Sequence, residues 1–275
     1  MTRRIRIGHS PDADDAFMFY AIAKGKVPTD GLRVEHVIEE IEGLNRRALQ
    51  GELEVTALSL HAYFYCKDRY ELLSCGASVG DRYGPILVAR KEDPSQTLRG
   101  RRVAIPGSLT TAYLVLKLYA QGFEERMLPF DQIVEAVQTQ KADFGLLIHE
   151  GQLTYSELGL KKVVDLGEWW HRTTGLPLVL GIDAVRKDLD PGLKQRIDSL
   201  LKESIQYALD HRQEALAYAL EFGRGMAREK ADRFVEMYVN QDTLDYGERG
   251  RAGIKELFKR AEEAGLLREK ATSDK

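Results

Sequence analysis

The apolar run FGLLI, residues 144–148, is followed at once by His149 and Glu150. Imidazole is the side chain whose ordinary titration range spans neutrality, so a histidine leaving a buried strand is a candidate general base. Position alone leaves a second reading open, a hydrogen-bonded packing residue. Hydroxyls stand at comparable points elsewhere: Ser10 follows RIRIGH, Ser59 ends VTALS, and Thr110 and Thr111 follow RRVAIPG. A helix start offers unpaired N–H groups and partial positive charge, which favour a carboxylate. Gly107, just before such a start, leaves the backbone open to approach. Together these groups suit a small carboxylate-bearing molecule and acid–base work on it.

Other chemistries lack their signatures. There is no H-x-H, H-E-x-x-H or cysteine cluster, no G-x-S-x-G turn, no P-loop and no G-x-G-x-x-G, so neither a metal nor a cofactor is expected. His36 lies in an alternating strand and His211 on a polar helix, and both read as solvated or packed. His61, beside Ser59, and His171, after Trp169-Trp170, are secondary ligand candidates. Asp14 and Asp15 read as caps of the helix AFMFYAI, and one of Thr110 and Thr111 is enough to cap the next helix. Trp169 and Trp170 read as packing residues, Thr173 to Gly175 as a plain turn, and the role of Glu150 is open.

The elements that must position these residues alternate from the start. RIRIGHS is followed by DDAFMFYAIAKG, LRVEHVIE by EGLNRRALQGE, and VTALSL by HAYFYCKD, the rhythm of a mostly parallel sheet covered by helices. The pattern restarts at RRVAIP and runs through RMLPF to FGLLIHE, returns to strand at KKVVDLG and LPLVLGIDAV, and is helical from Gly192. LNRRALQGELEVTALSLHAY resembles IVEAVQTQKADFGLLIHEGQL, each an amphipathic helix, a polar turn and a short apolar strand, which suggests two similar halves. The expected architecture is α/β in two lobes, the second inserted in the first. Residues 1–90 and 181–275 form the first lobe with the C-terminal helices, and 91–180 the second. Strands near 87–91 and 179–184 join them, and a ligand cleft is expected between them.

A chain of 275 residues accommodates two such lobes. The net charge of -3, with basic pairs scattered, provides no field for a polyanion, so nucleic acid is not an expected partner. No apolar run approaches a membrane span, and the N-terminus meets acidic residues before any secretory apolar stretch, so membrane insertion is not expected and the protein is placed in the cytoplasm. Cys66 and Cys75 are expected to be free thiols. Oligomeric state is not legible.

HSPDADDAFMFY, LNRRALQGELEVTALS, GPILVAR, VAIPGSLTTAYL, GLLIHEGQLTY and TGLPLVLG resemble, in order and spacing, the 1,4-dihydroxy-6-naphthoate synthases of the futalosine route to menaquinone. The resemblance implies a periplasmic-binding-protein-like fold and a lyase converting cyclic dehypoxanthine futalosine to 1,4-dihydroxy-6-naphthoate. It puts the general base on His149 and substrate-contacting hydroxyls on Ser59, Thr110 and Thr111. Two stretches depart from the family pattern. SPDADDAF replaces S-P-x-P-N-D-T-F, with Asp14 for asparagine and Ala16 for threonine, and TALS replaces T-K-L-S, with Ala57 for lysine. If that lysine meets a substrate carboxylate, its loss removes a bond worth about 1.5–3 kcal/mol. The alternatives are a non-catalytic solute-binding protein of the same fold and the chorismate dehydratase of the same pathway.

Overall fold

The computed structural model describes residues 3–91, 97–222 and 227–267. The chain runs β1 (Arg3–His9), α1 (Ala13–Ala23), β2 (Leu32–Ile38), α2 (Ile41–Gln50), β3 (Val55–Ser59), α3 (Leu60–Cys66), β4 (Tyr70–Leu72) and β5 (Ser78–Gly80). It continues through β6 (Ile86–Arg90), β7 (Arg102–Ile105), α4 (Thr111–Tyr119), β8 (Glu124–Met127), a 3-10 turn at Phe130–Gln132, α5 (Ile133–Gln138), β9 (Phe144–Leu147), α6 (Gly151–Thr154), β10 (Leu160–Asp165) and α7 (Leu166–Thr174). β11 (Leu178–Arg186) precedes five helices: α8 (Pro191–Asp210), α9 (Arg212–Ala219), α10 (Arg228–Tyr238), α11 (Gln241–Leu244) and α12 (Gly247–Glu263). Among the described residues no helix is long and apolar enough to cross a membrane.

The chain divides into two compact units, residues 1–79 with 179–250 and residues 80–178 with 251–275. The first contains a sheet of order β2-β1-β3-β11-β4, with β5 on β11. β1 pairs in parallel with β2 and β3, and β11 is antiparallel to β3 and β4. Ile5, Ile7, Leu58 and Tyr70 are buried on this sheet, and the Tyr70 hydroxyl donates to the Leu53 carbonyl at 2.6 Å. α1 is buried from Ala13 to Ile22 and packs against α8, α9 and α10, as expected of a helix apolar on all sides. Its neighbour β1 has no Cβ at Gly8, where one would lie 2.6 Å from Leu53 Cδ1 and 2.8 Å from Leu44 Cδ2, so α2 seats closely on the strand.

The second unit has a sheet of order β10-β6-β9-β7-β8, with β9, β7 and β8 mutually parallel and β6 antiparallel to both its neighbours, β9 and β10. Ile86, Val88, Ala104, Ile133, Val137, Leu147 and Leu160 form its core. Strand 86–90, read from the sequence as a connection, instead pairs with β9 and β10 within this sheet. The end of α12 also belongs to this unit, although the helical tail is expected in the first. Gly253 lies against the Pro177 carbonyl, and the Arg260 guanidinium donates to the Thr173 carbonyl at 3.2 Å and lies over the Trp170 ring. RMLPF is not a strand throughout. β8 ends at Met127 because Pro129 has no N–H for a ladder, and Phe130 opens the 3-10 turn.

Candidate active site

In open α/β sheets ligand-handling groups collect at the carboxyl ends of parallel strands. In the first unit, β1 and its parallel neighbour β3 end at His9-Ser10 and Ser59. Ser10 is buried in a turn that the chain builds from its own acids. The Ser10 N–H donates to Asp15 Oδ2 at 2.5 Å and its hydroxyl donates to Asp12 Oδ2. The N-cap of α1 is Asp12, so Asp14 and Asp15 are first-turn residues rather than caps, and Asp15 reaches back to fix Ser10. All three carboxylates are buried at the helix start, where the helix dipole favours negative charge.

Ser59 is set by a residue that sequence reasoning passed over. Asn45, fully buried on α2, donates through Nδ2 to Ser59 Oγ at 3.0 Å and accepts the Ser59 N–H on Oδ1 at 3.0 Å. The available signal was an asparagine next to Leu44 on the apolar face of LNRRALQ. Ala57 stands two residues before the strand end, half-buried and directly opposite Asp183 of β11. Asp183 is buried, its Oδ2 has no hydrogen-bond partner among the described residues, and burial pushes its carboxyl up to about 8.

In the second unit the adjacent parallel strands β7 and β9 play the same part. After β7 the chain turns through Pro106 and Gly107 into α4. Thr110 is the N-cap. Its Oγ1 accepts the Tyr113 N–H at 3.2 Å and donates to the Gly107 carbonyl at 3.0 Å, while Thr111 is the first helical residue and also buried. β9 ends at Leu147, so Ile148 and His149 lie beyond the strand. His149 has φ of 53°, in the left-handed region that histidine tolerates better than most residues but that still costs on the order of 1 kcal/mol. Its half-buried ring meets Phe130 edge-on with centroids 4.9 Å apart. The turn behind it is secured by Gln152 N–H donating to the His149 carbonyl at 3.2 Å, and by Leu153 N–H and the Thr154 hydroxyl donating to the Glu150 carbonyl at 3.0 and 3.3 Å. Thr154 therefore holds the loop that aims His149, and Tyr155 packs on the core of this unit.

The remaining candidates have structural settings. His36 accompanies His9 on the first sheet, His61 is buried on α3 beside Tyr65, and His211 stacks on Tyr207. His171 Nδ1 lies 2.9 Å from Asp81 Oδ1. Trp170 is buried and donates to the Pro177 carbonyl at 3.1 Å, Trp169 meets Tyr119 edge-on, and Thr173 and Thr174 donate to carbonyls of α7, which closes on Gly175 at φ of 73°. Cys66 and Cys75 are free and buried. Burial pushes the Cys66 thiol up to about 12 and Cys75 upward as well, which leaves both inert as nucleophiles.

Hydroxyl, imidazole and helix-start N–H groups at parallel strand ends, repeated in two α/β units, define a protein of the periplasmic-binding-protein fold. The periplasmic aliphatic sulphonate binding protein of Escherichia coli shares that fold at a TM-score of 0.67 and 10% identity, over 97% of this chain and 89% of that one. Residues 5–263 match the menaquinone biosynthesis family, and the chain belongs to that family. It is 44% identical over 262 residues to the 1,4-dihydroxy-6-naphthoate synthase of Thermus thermophilus, covering 95% of both chains. It is 36% identical over 269 residues to the enzyme of that name from Streptomyces coelicolor, covering 96% of this chain and 94% of the relative. A crystal structure of an Archaeoglobus fulgidus protein superposes at a TM-score of 0.92 with 50% identity, over 96% and 98% of the two chains.

Proposed function

We propose that the chain is a 1,4-dihydroxy-6-naphthoate synthase, a cofactor-independent lyase that converts cyclic dehypoxanthine futalosine and releases the ribose-derived part, working in the cytoplasm. His149 takes the proton that starts ring opening and aromatisation. The substrate carboxylate lies at the start of α4 against Gly107, Thr110 and Thr111, and Ser10, Ala57 and Ser59 contribute the surface of the first unit. The observation that carries this reading is the placement of His149 just beyond β9, on a left-handed residue with its own hydrogen-bonded turn, beside the hydroxyl-bearing helix start that follows the adjacent strand. A packing histidine needs no such backbone, and near-full-length similarity to two proteins named 1,4-dihydroxy-6-naphthoate synthase supports the reaction proposed.

The test is turnover by the purified protein and a His149→Asn variant, with the naphthoate followed by mass. Asparagine tolerates the left-handed backbone, so the variant removes the imidazole and keeps the loop. The expected loss of kcat is about 10²–10⁴-fold with binding retained, and the wild-type rate falls on the acid side between about pH 5 and 8. Binding without turnover by the wild type would instead identify a solute receptor, and turnover of chorismate the dehydratase.

A further inference from the structure

His9, the last residue of β1, is buried between Phe19 and His36. Its ring stacks on Phe19 with centroids 4.6 Å apart and planes 17° from parallel, and it meets His36 edge-on at 5.2 Å. His9 Nδ1 lies 3.1 Å from the Ser10 carbonyl oxygen and His9 Nε2 lies 3.1 Å from His36 Nδ1. A carbonyl oxygen only accepts, so His9 Nδ1 must carry the proton. Nε2 of a neutral ring is then bare and accepts, which makes His36 Nδ1 the donor. The three partners leave one assignment: His36 Nδ1–H to His9 Nε2, and His9 Nδ1–H to the Ser10 carbonyl.

We propose that His9, held in a single tautomer by His36, is a positioning residue that fixes Ser10 and its acidic turn for the substrate. This rests on the reading of Ser10 as a substrate contact. Three bonds then converge on Ser10: its carbonyl accepts from His9, its N–H donates to Asp15 and its hydroxyl donates to Asp12. The first ties the turn to the β1–β2 sheet, and the other two tie it to the start of α1. Protonation of His9 would leave the Nδ1–H bond to Ser10 in place and reverse the other one, with His36 changing tautomer so that its Nδ1 accepts, so the assignment with His36 as donor belongs to the neutral His9. Burial, with His36 adding to it and the Ser10 carbonyl and then Asp12 opposing, lowers His9 to about 4, and burial lowers His36 as well. His9 is therefore neutral at neutral pH, and the single tautomer holds there.

The experiment uses the full chain carrying 15N-labelled histidine, with two variants. His9→Phe keeps the stack on Phe19 and removes the donor, and His9→Asn keeps a donor at the Nδ1 position and removes the stack. Long-range 1H–15N spectra of the wild type should show His9 protonated on Nδ1 and bare on Nε2 from pH 5 to 9. In His9→Phe, amide exchange at Ser10 should speed up by about tenfold or more, with His9→Asn close to wild type. KM for cyclic dehypoxanthine futalosine should rise about tenfold in His9→Phe, with kcat changed less than about twofold, because an interaction made equally in ground and transition states is lost. An Nε2–H tautomer, or unchanged Ser10 exchange in His9→Phe, would overturn the positioning role whatever the turnover. A wild type without turnover that keeps the tautomer and the exchange pattern would sink the functional reading alone.

Discussion

Replacing Asp183 by asparagine should stabilise the protein, and more so as the pH rises. Asp183 sits in β11 opposite Ala57, is 1% exposed, and presses Oδ2 against Gly76, where an added Cβ would lie 2.1 Å away. Burial raises the carboxyl from its ordinary 3.8 to about 8, so the folded chain holds a proton that the unfolded chain loses above about pH 4. The unfolded state binds fewer protons over that interval, and stability therefore falls with rising pH, by about 1.4 kcal/mol per unit. The loss begins near pH 4, grows through neutrality, and levels off above about 8. Its full extent is on the order of 5 kcal/mol. Asparagine has nearly the same shape and does not ionise. Urea unfolding of wild type and Asp183→Asn at unit intervals from pH 4 to 9 should show a difference that widens with pH and then flattens. A difference that stays constant across that range would show that Asp183 is not held protonated, and the burial argument would fail.

Two further outcomes follow from the strand ends. Asn45→Ala removes both bonds to Ser59 from a buried position, and urea unfolding should show a loss of about 1–3 kcal/mol together with a rise in KM. Thr110→Ala and Thr111→Ala probe capping and binding: the first loses the bond to the Tyr113 N–H and about 1 kcal/mol of thermal or urea stability, and the second raises KM for the substrate. A Thr110→Ala variant as stable as wild type would contradict the cap assignment.

The strand ends were legible because a parallel sheet writes itself as apolar runs separated by helical periods, and the residue leaving each run is visible without any knowledge of pairing. That logic located Ser10, Ser59, Gly107, Thr110, Thr111 and His149. It could not supply what depends on a side chain's distant neighbours. α7 went unrecognised because its length lies between the strand signal of KKVVDLG and the turn TGLP, and its cap is Asp165, whose Oδ1 accepts from the Gly167 and Glu168 N–H groups. Asp183 is the more instructive case. An acid inside LPLVLGIDAV breaks a strand otherwise apolar in the middle, which marks it as unusual, but the strand pattern alone does not say whether such an acid finds a cation, reaches solvent or keeps its proton. The pairing decides it: the residue facing Asp183 across the ladder is Ala57, where the family pattern has lysine. With an ammonium at that position the carboxyl would have an opposite charge beside it and its pKa would be drawn down rather than up. Restoring the amine by Ala57→Lys should therefore abolish the widening with pH seen between wild type and Asp183→Asn, and its persistence in that background would mean that the two positions do not communicate.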